Sequence, residues 1–586
     1  MFLKKISSVI KGKTYLHYQV VESYRENGKV KHRNLYSVGV LTEEEAAKLR
    51  LVIAAQSDKE IIVAKIDDIV VTKHLSYLDV SALHHLWQKW SFDEIFPSDH
   101  WVEAMVLNRC LEPLSKIHIK EWAAETILPA LTKENILKYD DYDVYRELDK
   151  LFKLETDLQS FIHKRLEDKG HSFEQGMFYD ITSSYFEGSK CILAKYGYSR
   201  DHRPDCEQIV IALMVTEDGY PFYWQVLDGN TADISTVESM VDHIKQRFGI
   251  KNCTLVFDRG MVSADNLIYI RHNELSYISA MDKDEIKALD IFNDAMPEAA
   301  SMGNFEQILA MNEFLPIDEN AFLYYREFVK EEHRYIFSFD VARFFEDMKS
   351  TERRIEQAKE WIMVKNGDLA NSQKSRQLDS VNKDAKKMLA KKHLKKIIEI
   401  EIEPYTVIVK NKKDNDREVS TFRIKYELNL NEKFEEQKLN GLTCFISNMP
   451  TENCSSVKII DYYRRKNKVE EAFHEIKSYI NIRPIHLSRA GRVKAHVSIC
   501  MLSYFLLNDM EIQLKNTGSG LSPKSALKEI AKCKVDQIMV KSTKQTNFQI
   551  TEPTLEQIQL LKSLECDNLV EKKYLKQVFK KVQNYL

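Results

Sequence analysis

Proline and glycine are scarce in this chain, 12 and 17 among 586 residues. No proline-rich linker, low-complexity tract or internal repeat is visible, which excludes collagen-like, solenoid and largely disordered classes. The nine cysteines form no Cys-x-x-Cys pair and no Cys/His spacing suited to zinc. They predict reduced thiols in a cytosolic protein rather than a disulfide or zinc scaffold. No signal peptide opens the chain. Membrane-spanning runs are missing too: the most apolar late segment, Val497 to Leu507, is too short and too flanked by polar residues to cross a bilayer. Nor does either sign of charge dominate, with a formal net charge of -3.

What the chain has is length and local contrast. At 586 residues it exceeds a single core and predicts about three or four modules. Positive charge is concentrated rather than abundant. Arg464, Arg465, Lys466, Lys468, Lys477, Arg483, Arg489, Arg492 and Lys494 crowd one short region, and a Lys-rich run spans Lys383 to Lys396. Such distribution bears more on a polyanionic partner than the sum does, although a solvated helix is the plain alternative for the second run.

The first 45 residues alternate like strands around Asn27-Gly28, a strong hairpin signal, and predict a small β module over 1–70. From 71 to 168 the pattern is helical, with a break at Arg109–Lys116 and with Trp101 and Trp122 as core anchors. Strands are expected at 175–181, 208–216, 221–228, 252–257 and 276–281, with helices near 233–247 and 263–273 and Ser263 as a cap.

Three carboxylates stand out. Gly176-Met-Phe-Tyr-Asp180 and Cys253-Thr-Leu-Val-Phe-Asp258 each end an apolar run in an aspartate, and the end of a buried strand is where open α/β sheets place ligands. The third lies in Tyr463-Arg-Arg-Lys466-Asn-Lys-Val-Glu470-Glu-Ala-Phe473-His-Glu-Ile-Lys477. At about 100° per residue, Tyr463, Lys466, Glu470 and Lys477 fall within roughly 60° of one another beside an apolar face of Val469, Phe473, Ile476 and Ile480. Glu471 and Glu475 point away and read as solvated. The plain alternative is an amphipathic helix with ordinary surface charge. Two aspartates and a glutamate suit a hard cation such as Mg²⁺, a pair of which can assist phosphoryl transfer. Four neighbours have simpler roles: Asp201 and Asp205 a structural turn, Asp233 a helix cap, and Glu187 the opposite strand face.

In order and spacing, Asp180, Asp258 and Glu470 resemble the DDE triad of bacterial insertion-sequence transposases, in the branch whose third motif is Tyr, Arg, Glu, Lys. Tyr463, Glu470 and Lys477 match that motif, and Lys466 stands where the family has Arg. Further matches are Gly197-Tyr-Ser-Arg-Asp201-His-Arg-Pro-Asp205-Cys-Glu-Gln208, Gly229-Asn-Thr-Ala-Asp233, Asp258-Arg-Gly260, and Arg483-Pro-Ile-His486 followed by Arg492-Val-Lys-Ala-His496. The likeness covers roughly residues 100 to 510. Lys466 keeps the charge but lacks the guanidinium fork for bidentate phosphate contact.

The resemblance implies a multidomain α/β fold, with an RNase H-like mixed sheet over 169–284 and 439–500 interrupted by a long, largely β insertion over 285–438. It also implies a helical DNA end-binding region before the sheet and a helical C-terminal region over 501–586. Asp180, Asp258 and Glu470 would bind two Mg²⁺ ions, with Mn²⁺ able to substitute, for cleavage at element ends and joining of the 3′-OH to target DNA. Tyr463, Lys466, Lys477, Arg259 and Arg465 are the expected DNA contacts. Expected partners are terminal inverted repeats and target DNA, and a homodimer or larger assembly on DNA with no membrane association, in the bacterial cytoplasm at the nucleoid. Ile499, Leu502, Phe505 and Leu506 offer a contact surface for that assembly unless they close the core. The alternatives are an RNase H-like nuclease without strand transfer and an inactive DNA-binding relic.

Overall fold

The computed structural model describes residues 1–586 except 12, 59–60, 62, 98–99, 133–135, 174–175, 188–189, 290–308, 311, 318–322, 331, 411–415 and 586, and gives no side chains at 10 and 13–15. It divides into two compact units, Met1–Val144 with Asp509–Leu586, and Tyr145–Asn508.

In the first unit, β1 (Phe2–Ile10), β2 (Lys13–Glu26) and β3 (Lys29–Gly39) form the expected antiparallel sheet. The turn between β2 and β3 is Asn27-Gly28, with φ of 48° and 79°, the left-handed pair that a tight hairpin needs. Helix α1 (Glu43–Ala55) starts in a capping box between Thr42 and Glu45 and buries Ala46 against Leu3 and Tyr18. Helices α2 (Leu78–Lys89) and α3 (His100–Leu111) follow, and both Trp101 and Trp122 are buried as anticipated. The C-terminal region is not wholly helical. Strand β4 (Ile69–Ser76) pairs with β16 (Lys534–Val540), which pairs with β17 (Thr546–Ile550). These strands are short and half exposed, so their alternation is too faint to read without the partner 458 or more positions away that completes the ladder at Ser76↔Lys534.

The second unit is organised by nine strands: β5 (Gly176–Tyr185), β6 (Gln208–Val215), β7 (Pro221–Asp228), β8 (Thr254–Phe257), β9 (Ser276–Ala280), β10 (Leu315–Pro316), β11 (Leu323–Lys330), β12 (His333–Asp340) and β15 (Leu442–Ser447). Their order is β10-β11-β12-β15-β9-β8-β5-β6-β7. The five strands from β7 to β9 have the order of an RNase H-like sheet, with β5, β8 and β9 parallel and the β5-β6-β7 meander antiparallel. β6 is buried along its whole length, as a central strand covered on both faces must be.

The span expected to be a largely β insertion contains both strands and helices. Residues 290–308 and 318–322 of this span lie outside the described residues. β11 and β12 extend the central sheet, because Arg334–Phe339 are all buried and pair with β15. The rest is half helical: α4 (Val341–Ala370) and α5 (Leu378–Lys391) pack with the hairpin of β13 (Ile398–Val409) and β14 (Arg417–Leu428) around Ile355, Ile362, Leu389, Ile397 and Ile424. The lysines of α5 face away from that core, Lys383, Lys386, Lys387 and Lys391 all being exposed.

Candidate active site

Asp180 sits mid-strand on β5 and Asp258 directly follows β8. The two strands are parallel neighbours with Tyr179 opposite Phe257, so the aspartates leave adjacent strands at the same level. Each is braced locally: Asp180 Oδ1 accepts the Ile181 N–H at 2.8 Å, and Asp258 Oδ1 accepts the Arg259 N–H at 2.9 Å at the start of a short turn. Ser263 caps the next helix through the Asn266 N–H, as its position predicts.

The third carboxylate arrives on a broken helix. α6 (Ser456–Arg465) stops at Lys466 and α7 (Asn467–Ser478) starts beyond it. At the break the Lys466 N–H bonds Tyr463 O at 3.1 Å and the Val469 N–H bonds Lys466 O at 3.0 Å, i→i−3 bonds that tighten the turn. This turns Lys466 inward to 5 % exposure. Its ammonium donates to Glu470 Oε1 at 2.7 Å. The Tyr463 hydroxyl donates to Asp258 Oδ1 at 3.3 Å, and the Tyr463 ring packs 4.9 Å from Phe445 of β15. Val469, Ala472, Phe473 and Ile476 bury the opposite side of α7. Glu471 is exposed and pairs with Lys468, the orientation that its helical phase predicts.

One lysine therefore stands among three carboxylates. Burial pushes the Asp180 carboxyl up to about 6, against the pull of the Lys466 ammonium and with help from the charges of Asp258 and Glu470. Burial alone would lower Lys466, but Asp180, Glu470 and Asp258 together hold it above its ordinary value. Burial also raises the Tyr463 hydroxyl. Among the described residues no three His, Cys, Asp or Glu side chains are close enough to grip one ion. The donor set suits a hard divalent cation in chemistry and charge, while Glu470, with its side chain 54 % exposed, leans on Lys466.

Lys477 is occupied elsewhere. Its ammonium donates to Asp201 Oδ1 at 2.8 Å, and Arg483 pairs with the same oxygen. Asp201 is only 1 % exposed at its side chain. Burial draws Lys477 below its ordinary value, with Asp201 opposing. The motif around Asp201 is thus a brace for α7. Gln208 Nε2 donates to Tyr198 O at 3.0 Å and Gly229 O at 2.9 Å, and a Cβ at Gly197 would stand 2.2 Å from Gly229 O, so only glycine permits that approach. Asp233 is not the expected helix cap: Ala232 holds that position, and both Asp233 oxygens accept from Arg200 at 2.5 Å. Of the remaining expected DNA contacts, Arg259 is exposed beside the site, and Arg465 pairs with Asp461 at 2.9 Å and with Glu217.

Asp201→Ala strips the shared counter-charge from a buried lysine and a half-buried arginine. It is expected to cost about 3–5 kcal/mol, the range for removing one partner of a buried ion pair, read as a lower denaturation midpoint. Asp205→Ala, whose carboxylate is exposed beside Arg203, is expected to leave that midpoint within about 0.5 kcal/mol.

A further brace has no precursor in the sequence reading. Arg334 of β12, 4 % exposed, forks onto Glu327 of β11 at 2.7 and 3.1 Å and donates to Met449 O and Cys454 O at 3.0 and 2.7 Å. Ser456, the first residue of α6, also bonds Glu327. The added strands thereby fix the N-terminus of the helix pair that carries Glu470.

The model of the transposase DDE domain matches residues 171–506, more than half of the chain, and the chain belongs to that family. Residues 3–63 match the N-terminal domain of IS1634 family transposases. The protein is a DNA transposase of insertion-sequence type, an enzyme that cleaves DNA, and domains of this family use divalent metal ions. Among solved structures it is similar to the piggyBac transposase in a synaptic complex with hairpin DNA, at 8 % identity over 83 % of this chain and 75 % of that one, with a TM-score of 0.35; a likeness that faint carries no argument. No curated protein matches the chain. Among the described residues no helix is long and apolar enough to cross a membrane.

Proposed function

We propose that Asp180, Asp258 and Glu470 are the residues that hold the divalent ions, two of Mg²⁺ with Mn²⁺ able to substitute, and that the reaction is cleavage at element ends followed by strand transfer. The observations that support this are that Asp180 and Asp258 leave adjacent parallel strands at one level and that the Lys466 ammonium, bonded to Glu470, is acted on by the charges of both aspartates. When bound, the ions supply activation of the attacking oxygen and stabilisation of the leaving one. The chain's own part is positioning. β5 and β8 present two carboxylates side by side, α7 brings the third, and Tyr463 orients Asp258. Lys466 neutralises the acidic cluster and would be available to a DNA phosphate once its carboxylates held cations; Arg259, exposed at the rim, and Arg465 are further phosphate contacts. Water breaks one P–O bond at the element end, giving a 3′-OH and a 5′-phosphate. That 3′-OH then attacks a target phosphodiester, so each step exchanges one P–O bond for another and its proton goes to solvent. Gel analysis of an end-labelled duplex with a second, target duplex tests the pairing of steps: cleavage with no joined product would favour a nuclease.

Two element ends must be held together, so at least two chains per pair of ends are expected on DNA. Ile499, Leu502, Phe505 and Leu506 are not a free surface for this, each being at most 1 % exposed within the chain. Light scattering of the complex with paired-end DNA checks the stoichiometry; one chain per two ends would contradict it.

A further inference from the structure

The first 39 residues contain eight lysines and arginines against two glutamates, a surplus of six positive charges in a chain whose net charge is -3. Their geometry is as uneven as their charge. α1 covers one face of the sheet through Leu3, Tyr18, Ala46 and their neighbours, yet β3 is an edge strand whose residues Lys29 to Ser37 are all exposed. Val30 and Tyr36 are 59 % and 69 % exposed. An edge strand this long with bare apolar side chains is ordinarily blunted or covered.

We propose that the β2–β3 ribbon is a binding site for duplex DNA and lies in its major groove. The proposal rests on the transposase reading, from which the nucleic acid is DNA. A two-stranded ribbon fits a groove about 12 Å wide, whereas the major groove of A-form RNA is too deep and narrow to admit one. A protein partner would favour an edge depleted in lysine, which this is not. Around the hairpin tip Arg25 faces Val30 and Tyr24 faces Lys31 across the ladder. Arg25 and Lys29 have no acidic partner among the described residues and are placed to meet phosphates. Lys31 and Arg33 are held by Glu26 at 2.5 Å and Glu22 at 2.8 Å, all four side chains being at least 43 % exposed. Such surface pairs exchange easily for phosphate.

The test measures affinity of the full chain for an element-end duplex against salt, with divalent ions chelated, so the outcome does not depend on the carboxylate assignment. Arg25→Ala with Lys29→Ala is expected to lower the slope of log affinity against log salt by about two units. Glu22→Gln with Glu26→Gln frees Arg33 and Lys31 and is expected to move affinity the other way, a gain that a misfolded module cannot give. Unchanged slopes in both double variants would overturn the proposal. So would equal changes on an RNA duplex of the same sequence, or a change confined to self-association without DNA.

Discussion

Asp180→Ala and Asp258→Ala should each cut strand cleavage by at least roughly 10³-fold, the loss that follows when a member of a cooperating catalytic set is removed. Affinity for end DNA should stay within about threefold or rise, because affinity is carried by phosphate contacts elsewhere and the change deletes a negative charge near the DNA backbone. Calorimetric titration with Mn²⁺ separates this from simple damage: the parent should bind it, and either variant should bind far less while melting normally. A variant that cleaves at the parental rate would remove its aspartate from the site.

Lys466→Met should have the second large effect, and it is visible without catalysis. The lysine is buried at the helix break and is the positive charge facing Asp180, Asp258 and Glu470. Removing one partner of a buried pair costs about 3–5 kcal/mol; Glu470 is half exposed and Asp180 can take up a proton, so about 2 kcal/mol is expected, a fall of a few degrees in melting temperature. The sign follows from Asp180, whose folded value of about 6 lies above its ordinary 3.8. Between those values the folded state holds a proton that the unfolded state releases, so stability falls as pH rises through that window, and the penalty is complete above it. Without Lys466 the window extends upward, so the deficit of the variant should grow above pH 6. Melts in chelator and then in Mg²⁺ check this. The deficit should shrink with the ion, and equal melting of the two proteins in chelator would contradict the role.

Much of this site was legible in the sequence because its signals are local. The apolar runs ending in Asp180 and Asp258 specify buried strands, and the phase of Val469, Phe473 and Ile476 fixes which way Glu470 faces. The partner of Lys477 was not legible, because sharing a helical stripe sets direction and not partner: the break at Lys466 together with buried Asp201 gives Lys477 a counter-ion 276 positions away. Arg334 left no trace because its partners, Glu327 and the carbonyls of Met449 and Cys454, lie on two segments that only the fold brings together. The pairing of β4 with β16 was hidden for the same reason, while the RNase H-like strand order was readable because its five strands follow one another between Gly176 and Ala280 and each carries its own apolar run.

The most direct test compares Glu470→Ala with Glu471→Ala on an end-labelled duplex in Mg²⁺. Both are exposed neighbours on one helix, so general damage to α7 would strike them alike. Cleavage should vanish for Glu470→Ala and persist for Glu471→Ala; an active Glu470→Ala beside a dead Glu471→Ala would contradict the three-carboxylate site.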